Sequence, residues 1–395
     1  MPGSARVLAG ASVLLWLGGC GALQGPGAAS QALAPAAVLA SLKVGRGPTL
    51  LAMSPDGARI FAASIGTLTI IRTDTNTVVA TLKIDPYPTG IAVTPNGRRL
   101  LLTTISSARL AVMDAATGAR QRSIALPQNL QPGGYGRIAV SPDGRTALVA
   151  NEDAWLAAVD LTAGTARRDL LDMRPRDVRF GADGRAVYLA GCKTFCTSGT
   201  IELLDPAGGQ TLRTLTVGPA PYRVALSPDG ATAYTTNLGG PSLSVVDLAS
   251  GAVEATVPVG IEPTGLAVSP DGARIYVASQ TSGTLTIVGA AGNAVLGTVQ
   301  VPGAPREIVI TPDGRRAYVS TSAPNAVVVL DTARLVADAT RREGQEGVRN
   351  ERGTGTGWHT QGRVRARVGR EARTVGHQWS PLRGLGDISP QGITR

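Results

Sequence analysis

From residue 50 the chain runs through one cycle of apolar and polar positions seven times. In the sixth copy a short apolar run (265–268, GLAV) leads into a polar turn, and an alternating run follows (274–279, RIYVAS). A third run (284–288, TLTIV) and a fourth (295–301, VLGTVQV) come next, and a Gly/Pro-rich link (302–305) opens the following copy. A turn marked by Asp and Gly often separates the third and fourth runs, as at 247–251 in the fifth copy. Short runs of this composition, bounded by turn residues, predict β-strands, four to each copy.

The turn between the first two runs is the most regular feature. It reads SPDG at 54–57, 141–144, 227–230 and 269–272, TPNG at 94–97, TPDG at 311–314 and GADG at 181–184. Successive starts lie 40, 47, 40, 46, 42 and 42 residues apart, a period that fits four short strands per unit. Each residue type has a physical reason to stand where it does. Pro presets φ at the first central position, Asp bonds its own neighbouring backbone, and Gly takes the left-handed conformation.

The seventh copy stops after its third run (326–330, AVVVL). Its missing fourth strand has a counterpart at the other end of the chain. Residues 37–48, AVLASLKVGRGP, match 294–305, AVLGTVQVPGAP, almost position for position. The predicted fold is therefore all-β: a seven-bladed β-propeller over residues 37–333, closed by an N-terminal outer strand in the last blade. Such a pairing leaves the ring without an open edge. With 275–279 (IYVAS) and 317–321 (AYVST), these units resemble the YVTN family of β-propeller repeats over roughly residues 37–333. Blade 4 departs most, because its turn lacks both Ser and Pro.

Ahead of the repeats, Arg6 precedes a 13-residue apolar stretch, 7–19, of signal-peptide length and too short to span a bilayer comfortably. It ends in Leu17-Gly18-Gly19-Cys20, which resembles the bacterial lipobox. That resemblance implies a signal peptide at 1–19, cleavage before Cys20, and diacylglycerol on the Cys20 thiol. Two or three acyl chains give stable anchoring, at about 0.8 kcal/mol per buried methylene. The alternative is an ordinary secretory signal with a coincidental cysteine. Gly21, where an Asp would signal retention at the inner membrane, implies sorting to the outer membrane. Residues 20–36 are small and uncharged, and read as a flexible tether. The expected location is thus an exported outer-membrane lipoprotein, facing the periplasm or the surface, with the lipid bilayer as a partner.

Charge changes this picture little. The net +10 divides into +6 from residues 340–395 (11 Arg against 5 acidic), +3 from 20–339 (26 basic against 23 acidic), and Arg6. The nearly balanced body demands no nucleic-acid face, and no specific nucleic acid is expected as a partner. Residues 334–395 read as a basic, mostly disordered tail that opens with a short helix near 333–342. The tail is either an arm for anionic surfaces or a solvated extension. It holds both histidines, His359 and His377. The body therefore lacks the imidazole on which Ser-His-Asp and Cys-His catalysis depend. No Gly-rich phosphate loop, zinc spacing or haem-attachment CxxCH occurs, so no metal, cofactor or catalytic residue is assigned. Cys192 and Cys196, in a long loop of blade 4, remain as an even pair once Cys20 is lipidated. They read as a disulfide in an oxidising compartment.

The blades differ most at the start of the first run, four residues before each turn. Leu50, Gly90, Arg137, Asp177, Arg223, Gly265 and Glu307 stand there. One position earlier stand Thr49, Thr89, Gly136, Arg176, Tyr222, Thr264 and Arg306. The candidate ligand site at the channel mouth is Arg137, Arg176, Asp177, Arg223, Arg306 and Glu307. Converging guanidinium groups in a narrow funnel suit an anionic ligand. Mutual pairing is the competing arrangement: Arg176, Arg179 and Arg223 with Asp177, and Arg306 with Glu307. The reading that follows is a monomeric, non-catalytic cell-envelope scaffold that binds an envelope protein or an anionic small molecule. Two others stay open: a lactonase-like propeller hydrolase, and an accessory protein of periplasmic quinoprotein metabolism.

Overall fold

The computed structural model describes residues 31–32, 37–105, 107–127, 135–193 and 196–335. The signal peptide (1–19), Cys20, most of the tether and all of the tail past 335 lie outside the described residues. So does most of the short helix expected near 333–342, of which 332–335 are seen as helical.

Seven antiparallel sheets form the body, each built from sequential strands a, b, c and d. In blade 1 these are Leu50–Met53, Arg59–Ser64, Thr67–Arg72 and Thr77–Lys83. Blades 2 to 6 cover 88–125, 135–170, 174–217, 221–258 and 263–300. Blade 7 covers 305–331 and takes its d strand from Val38–Lys43. Each a strand touches the a strand of the next blade, and that of blade 7 touches that of blade 1, so the seven a strands ring a central channel. The d strands face outward: that of blade 1 is exposed at five of its seven positions, whereas its b strand is buried at five of six.

The closure is the one the sequence predicts. Val38 lies opposite Leu330, Ala40 opposite Val329, Ser41 opposite Val328, Leu42 opposite Val327 and Lys43 opposite Ala326. Val44 N–H extends the ladder to Asn325 O at 3.1 Å, and Gly47 N–H reaches Asn325 Oδ1 at 2.7 Å. Within the tether, Gln31–Ala32 add a fifth, parallel strand outside blade 6, with Gln31 opposite Val299 and Ala32 opposite Gln300. The outer d strand of blade 6 offers unpaired N–H and C=O groups, and the chain just before the closing strand satisfies two residues' worth of them.

There is no single central core. Seven separate apolar clusters fill the seven contacts between neighbouring blades. The reason lies in strand alternation, which sends successive side chains to opposite neighbours. The strand b residue four places after the turn glycine illustrates it. Phe61, Tyr188, Tyr234, Tyr276 and Tyr318 each enter the cluster shared with the following blade. Across the closure, Tyr318 O–H donates to Asn76 Oδ1 at 2.7 Å, so the ring is joined by a polar contact as well as by the ladder.

The a–b turns carry a second, sequential lock. A Cβ placed on Gly57 would meet Pro312 Cδ of the preceding blade at 2.5 Å, so that glycine serves both its φ of +70° and the proline seated against it. The same seating recurs around the ring except at Gly230, which has nothing within 4 Å. The preceding turn is that of blade 4, where Ala182 replaces proline. Blade 4 still makes the turn: Gly184 N–H bonds Gly181 O at 2.9 Å, and Arg185 N–H bonds Asp183 Oδ1 at 3.0 Å. What it loses is the hydroxyl bond of its siblings, such as Ser54 Oγ to Asp56 Oδ1 at 2.5 Å.

Two predictions follow from these turns. Ala182→Pro presets φ where the other blades already carry proline and fills the gap over Gly230. It is expected to stabilise the fold by about 0.5–1 kcal/mol, read as an upward shift of the thermal midpoint. A lowered midpoint would show that blade 4 needs alanine there. The second concerns pH. Hydroxyl and then backbone N–H donors hold Asp56, Asp143, Asp229, Asp271 and Asp313 below the ordinary carboxylate value of 3.8. A carboxyl lowered in the fold stabilises it above the unfolded value and loses that contribution as pH falls below it. Replacing all five with Asn should leave a folded protein, because Asn96 already accepts Arg98 N–H at 3.1 Å in blade 2. Thermal midpoints below pH 4 should then fall less steeply in the variant than in the parent; parallel acid limbs would exclude the turn carboxylates as the cause.

Candidate functional site

Each a strand of blades 2 and 4 to 7 enters the channel through a bulge. Its pairing with strand b skips one residue, between Pro88 and Gly90, Pro175 and Asp177, Pro221 and Arg223, Pro263 and Gly265, and Pro305 and Glu307. The skipped residues are Thr89, Arg176, Tyr222, Thr264 and Arg306. A bulge frees one residue from the ladder and re-aims its side chain. All five line one cavity of about 300 Å³ at the channel mouth. Arg137, Arg223 and Leu50 add to its wall from the next strand position, and Glu152 from the b–c loop of blade 3.

Below the mouth the candidate residues meet one another. Glu307 Oε2 accepts from Arg137 Nη2 of blade 3 and from Arg223 Nη2 of blade 5. All three are buried, at 4, 8 and 2% exposure for Glu307, Arg137 and Arg223. Arg223 is fixed further: its Nε donates to Thr264 O at 3.0 Å, and its guanidinium lies 5.1 Å from the centre of the Tyr222 ring. Glu307 N–H is taken by Ser320 Oγ at 3.1 Å. Burial pushes the Glu307 carboxyl up from its ordinary value, and the charges of Arg137 and Arg179 oppose that shift.

The three side chains span the channel. Arg137 borders both the mouth cavity and a second, lower chamber of about 290 Å³, walled by Leu51, Met53, Ile91, Ile138, Leu266 and Ile308. Glu307 lies in the wall of that lower chamber. The bridge therefore stands between the funnel at the mouth and a lower chamber of mostly aliphatic residues into which Arg137, Arg179 and Glu307 also reach.

Asp177 is placed apart from the funnel. It is fully buried, accepts Val178 N–H at 3.0 Å and Val224 N–H at 3.1 Å, and pairs with Arg179 at 3.6 Å. Burial raises its carboxyl, against Arg179 and Arg137. The partners thus differ from the pairing the sequence suggested. Asp177 takes Arg179 but neither Arg176 nor Arg223, and Glu307 takes Arg137 and Arg223 rather than Arg306. Neighbours along a strand point to opposite sides, and the bulge lifts Arg176 and Arg306 to the mouth, away from the carboxylates that follow them.

Arg176 and Arg306 are consequently left without an ion pair among the described residues. The Nε of Arg306 and the hydroxyl of Thr264 are buried with no hydrogen-bond partner. Four arginines against Glu152 and Glu307 leave the funnel with a formal excess of two positive charges (4 − 2). Glu152 and Pro88 were not picked out from the sequence. The signal for Glu152 was present in the topology, because b–c loops stand at the same end of the ring as the starts of the a strands. That end also carries the disulfide joining Cys192 and Cys196. Among the described residues no cluster of His, Cys, Asp and Glu is arranged to hold a metal ion.

The molecule is thus a seven-bladed β-propeller with an arginine-lined funnel at one end of its channel. No protein-family model matches the chain. No curated protein matches it either. Solved structures do. Hydrazine synthase of Kuenenia stuttgartiensis is similar with a TM-score of 0.64 and 21% identity, over 73% of this chain and 96% of that one. The β-propeller domain of Cps50 (Swd1) from Myceliophteria thermophila is similar with a TM-score of 0.63 and 12% identity, over 74% of this chain and 98% of that one. At such identities the likeness shows the fold alone.

Glu307→Gln tests the bridge. It removes the one negative charge between two buried guanidiniums. The expected loss is about 3 kcal/mol of stability, the low end for a broken buried pair because the funnel admits water. Denaturant unfolding measures it, and a change below about 0.5 kcal/mol would show that the bridge does not hold the channel together.

Proposed function

We propose that this chain is a YVTN-type lipoprotein of the bacterial cell envelope. In this reading Cys20 anchors it to the outer membrane, and its propeller is a non-catalytic scaffold that holds an anionic group in the funnel. One observation carries the binding reading: Arg176 and Arg306 face a 300 Å³ cavity without an ion pair, while Arg137 and Arg223 have already been neutralised in part by Glu307. Guanidinium groups bind carboxylate and phosphate through paired N–H donors, and a partly dry funnel strengthens such bonds.

The same geometry weighs against hydrolysis. The buried carboxylates of this channel are Glu307 and Asp177; the third, Glu152, stands exposed on the funnel wall. Glu307 is held by two guanidiniums, and Asp177 is fully buried away from the funnel. Neither is free to accept a proton from water beside a substrate. The envelope assignment is supported by the lipobox-like Leu17-Gly18-Gly19-Cys20, and the YVTN assignment by seven in-register turns, six of them with Ser or Thr before Pro.

The test is titration calorimetry with citrate and inorganic phosphate on protein purified from the membrane fraction. At least one of these anions is expected to bind, more weakly as salt rises. Arg176→Gln with Arg306→Gln should reduce that affinity by about tenfold or more while leaving the thermal midpoint within a few degrees, since neither residue holds the bridge. Absence of binding by both anions, or equal binding by the double variant, would sink the funnel as a site.

A further inference from the structure

The funnel is not cationic all round. Its arginines come from blades 3, 4, 5 and 7, whereas blades 1 and 2 contribute Leu50, Pro88 and the two threonines Thr49 and Thr89. The neutral arc continues onto the rim. Ile65, Tyr87 and Ile105 are 40, 58 and 43% exposed there, against a body whose large apolar side chains are mostly buried. They belong to the same structure as the wall. Ile105 N–H bonds Tyr87 O at 3.0 Å, Tyr87 immediately precedes Pro88, and Ile65 N–H bonds Arg46 O in the link that leads to Thr49. Tyr87 holds a left-handed φ of 56°, as do Ala220 and Glu262 before Pro221 and Pro263 at two other links. Those links put a methyl group or a carboxylate where this one puts an exposed aromatic ring. A bulky residue at positive φ is uncommon and carries a conformational penalty.

In blades 6 and 7, which follow round the ring to blade 1, two buried polar atoms lack a partner, Thr264 Oγ1 and Arg306 Nε, and both residues line the cavity. Thr264 is only 8% exposed. A buried donor without a partner is destabilising until something satisfies it. The cavity therefore offers unmet donors for a small anionic head and, along blades 1 and 2, an uncovered apolar ramp.

Resting on the funnel reading above, we propose that the ligand class is a single-chain amphiphilic anion. Its carboxylate or phosphate head sits against Arg176, Arg306 and Thr264, and its hydrocarbon tail leaves over Tyr87 and Ile105. The head satisfies the stranded donors. The tail covers apolar surface that would otherwise face water, and affinity rises with each methylene until the chain passes the rim. A cavity of 300 Å³ is at the small end for a ligand site, which suits a head and the first part of a tail rather than a whole lipid.

The experiment compares butanoate with decanoate, below the micellar concentration, on the mature chain (residues 20–395) carrying Cys20→Ser so that it stays free of lipid. Each covered methylene is worth about fourfold in affinity, so decanoate is expected to bind at least tenfold more tightly than butanoate. Arg176→Gln with Arg306→Gln should weaken both. Tyr87→Asn, which suits the left-handed backbone, combined with Ile105→Ser, should bring decanoate down to the affinity of butanoate without changing butanoate itself. Equal affinities of the two acids in the parent protein would overturn the amphiphile while leaving the anion funnel standing; failure of both to bind would remove the two together. A decanoate advantage that survives in the rim variant, or is abolished instead by Ile261→Ser, at the exposed isoleucine of the link between blades 5 and 6, would overturn the assigned route. Sedimentation with phosphatidylglycerol vesicles that depends on Arg176 and Arg306, without decanoate binding from solution, would assign the site to a membrane headgroup and overturn it as well.

Discussion

Everything in this molecule hangs on six residues near one end of the sequence pairing with a strand almost three hundred residues away. Val38–Lys43 complete blade 7, and only then does blade 7 close against blade 1. An antiparallel ladder supplies the register, because the residues that face blades 6 and 1 must alternate correctly along it. The clusters on either side of blade 7 both depend on that register: Val38 packs into one, Ala40 and Leu42 into the other. Without the closing strand, two of the seven apolar clusters are left incomplete and the ring has an open edge.

The distributed core is the price of the repeat, and it explains the composition. Each contact between blades is a thin slab filled from two sheets, so it takes Val, Ile, Leu and Ala with at most one aromatic ring. The chain's 4% aromatic content is what seven such slabs need. The turns add a sequential lock of proline on glycine that fails once, over Gly230, where blade 4 has Ala182. Blade 4 is also the blade that carries the disulfide, the fully buried Asp177 and the upturned Arg176. Several departures from the repeat therefore gather in one sheet.

At the mouth, the same bulge recurs in five blades and turns a uniform scaffold into a variable surface. It lifts one side chain per blade out of the ladder, so that threonine, tyrosine or arginine can be exchanged there without disturbing the sheet. The residue after it points into the channel, where space is scarce. There a glycine is neutral, but a charge has to find a partner, along its own strand for Asp177 and across the ring for Arg223 and Glu307. The bridge of Arg137, Glu307 and Arg223 is that solution. It uses up two of the arginines and leaves two others at the mouth without an ion pair.

The sequence by itself determined the blade count, the strand order, the closing strand and the charged positions, down to Arg137, Arg176, Asp177, Arg223, Arg306 and Glu307. It could do so because turn chemistry and strand alternation are local, and because seven copies reinforce one another. The partners within the channel were decided only by the tertiary structure. Which carboxylate meets which guanidinium depends on the ring bringing blades 3, 5 and 7 face to face, and on bulges that a linear pattern does not reveal. Adjacent residues looked like natural pairs in the sequence, yet the strand sends them to opposite sides. Glu307 therefore reaches across the channel to Arg137 and Arg223, and Arg306 beside it turns to the funnel.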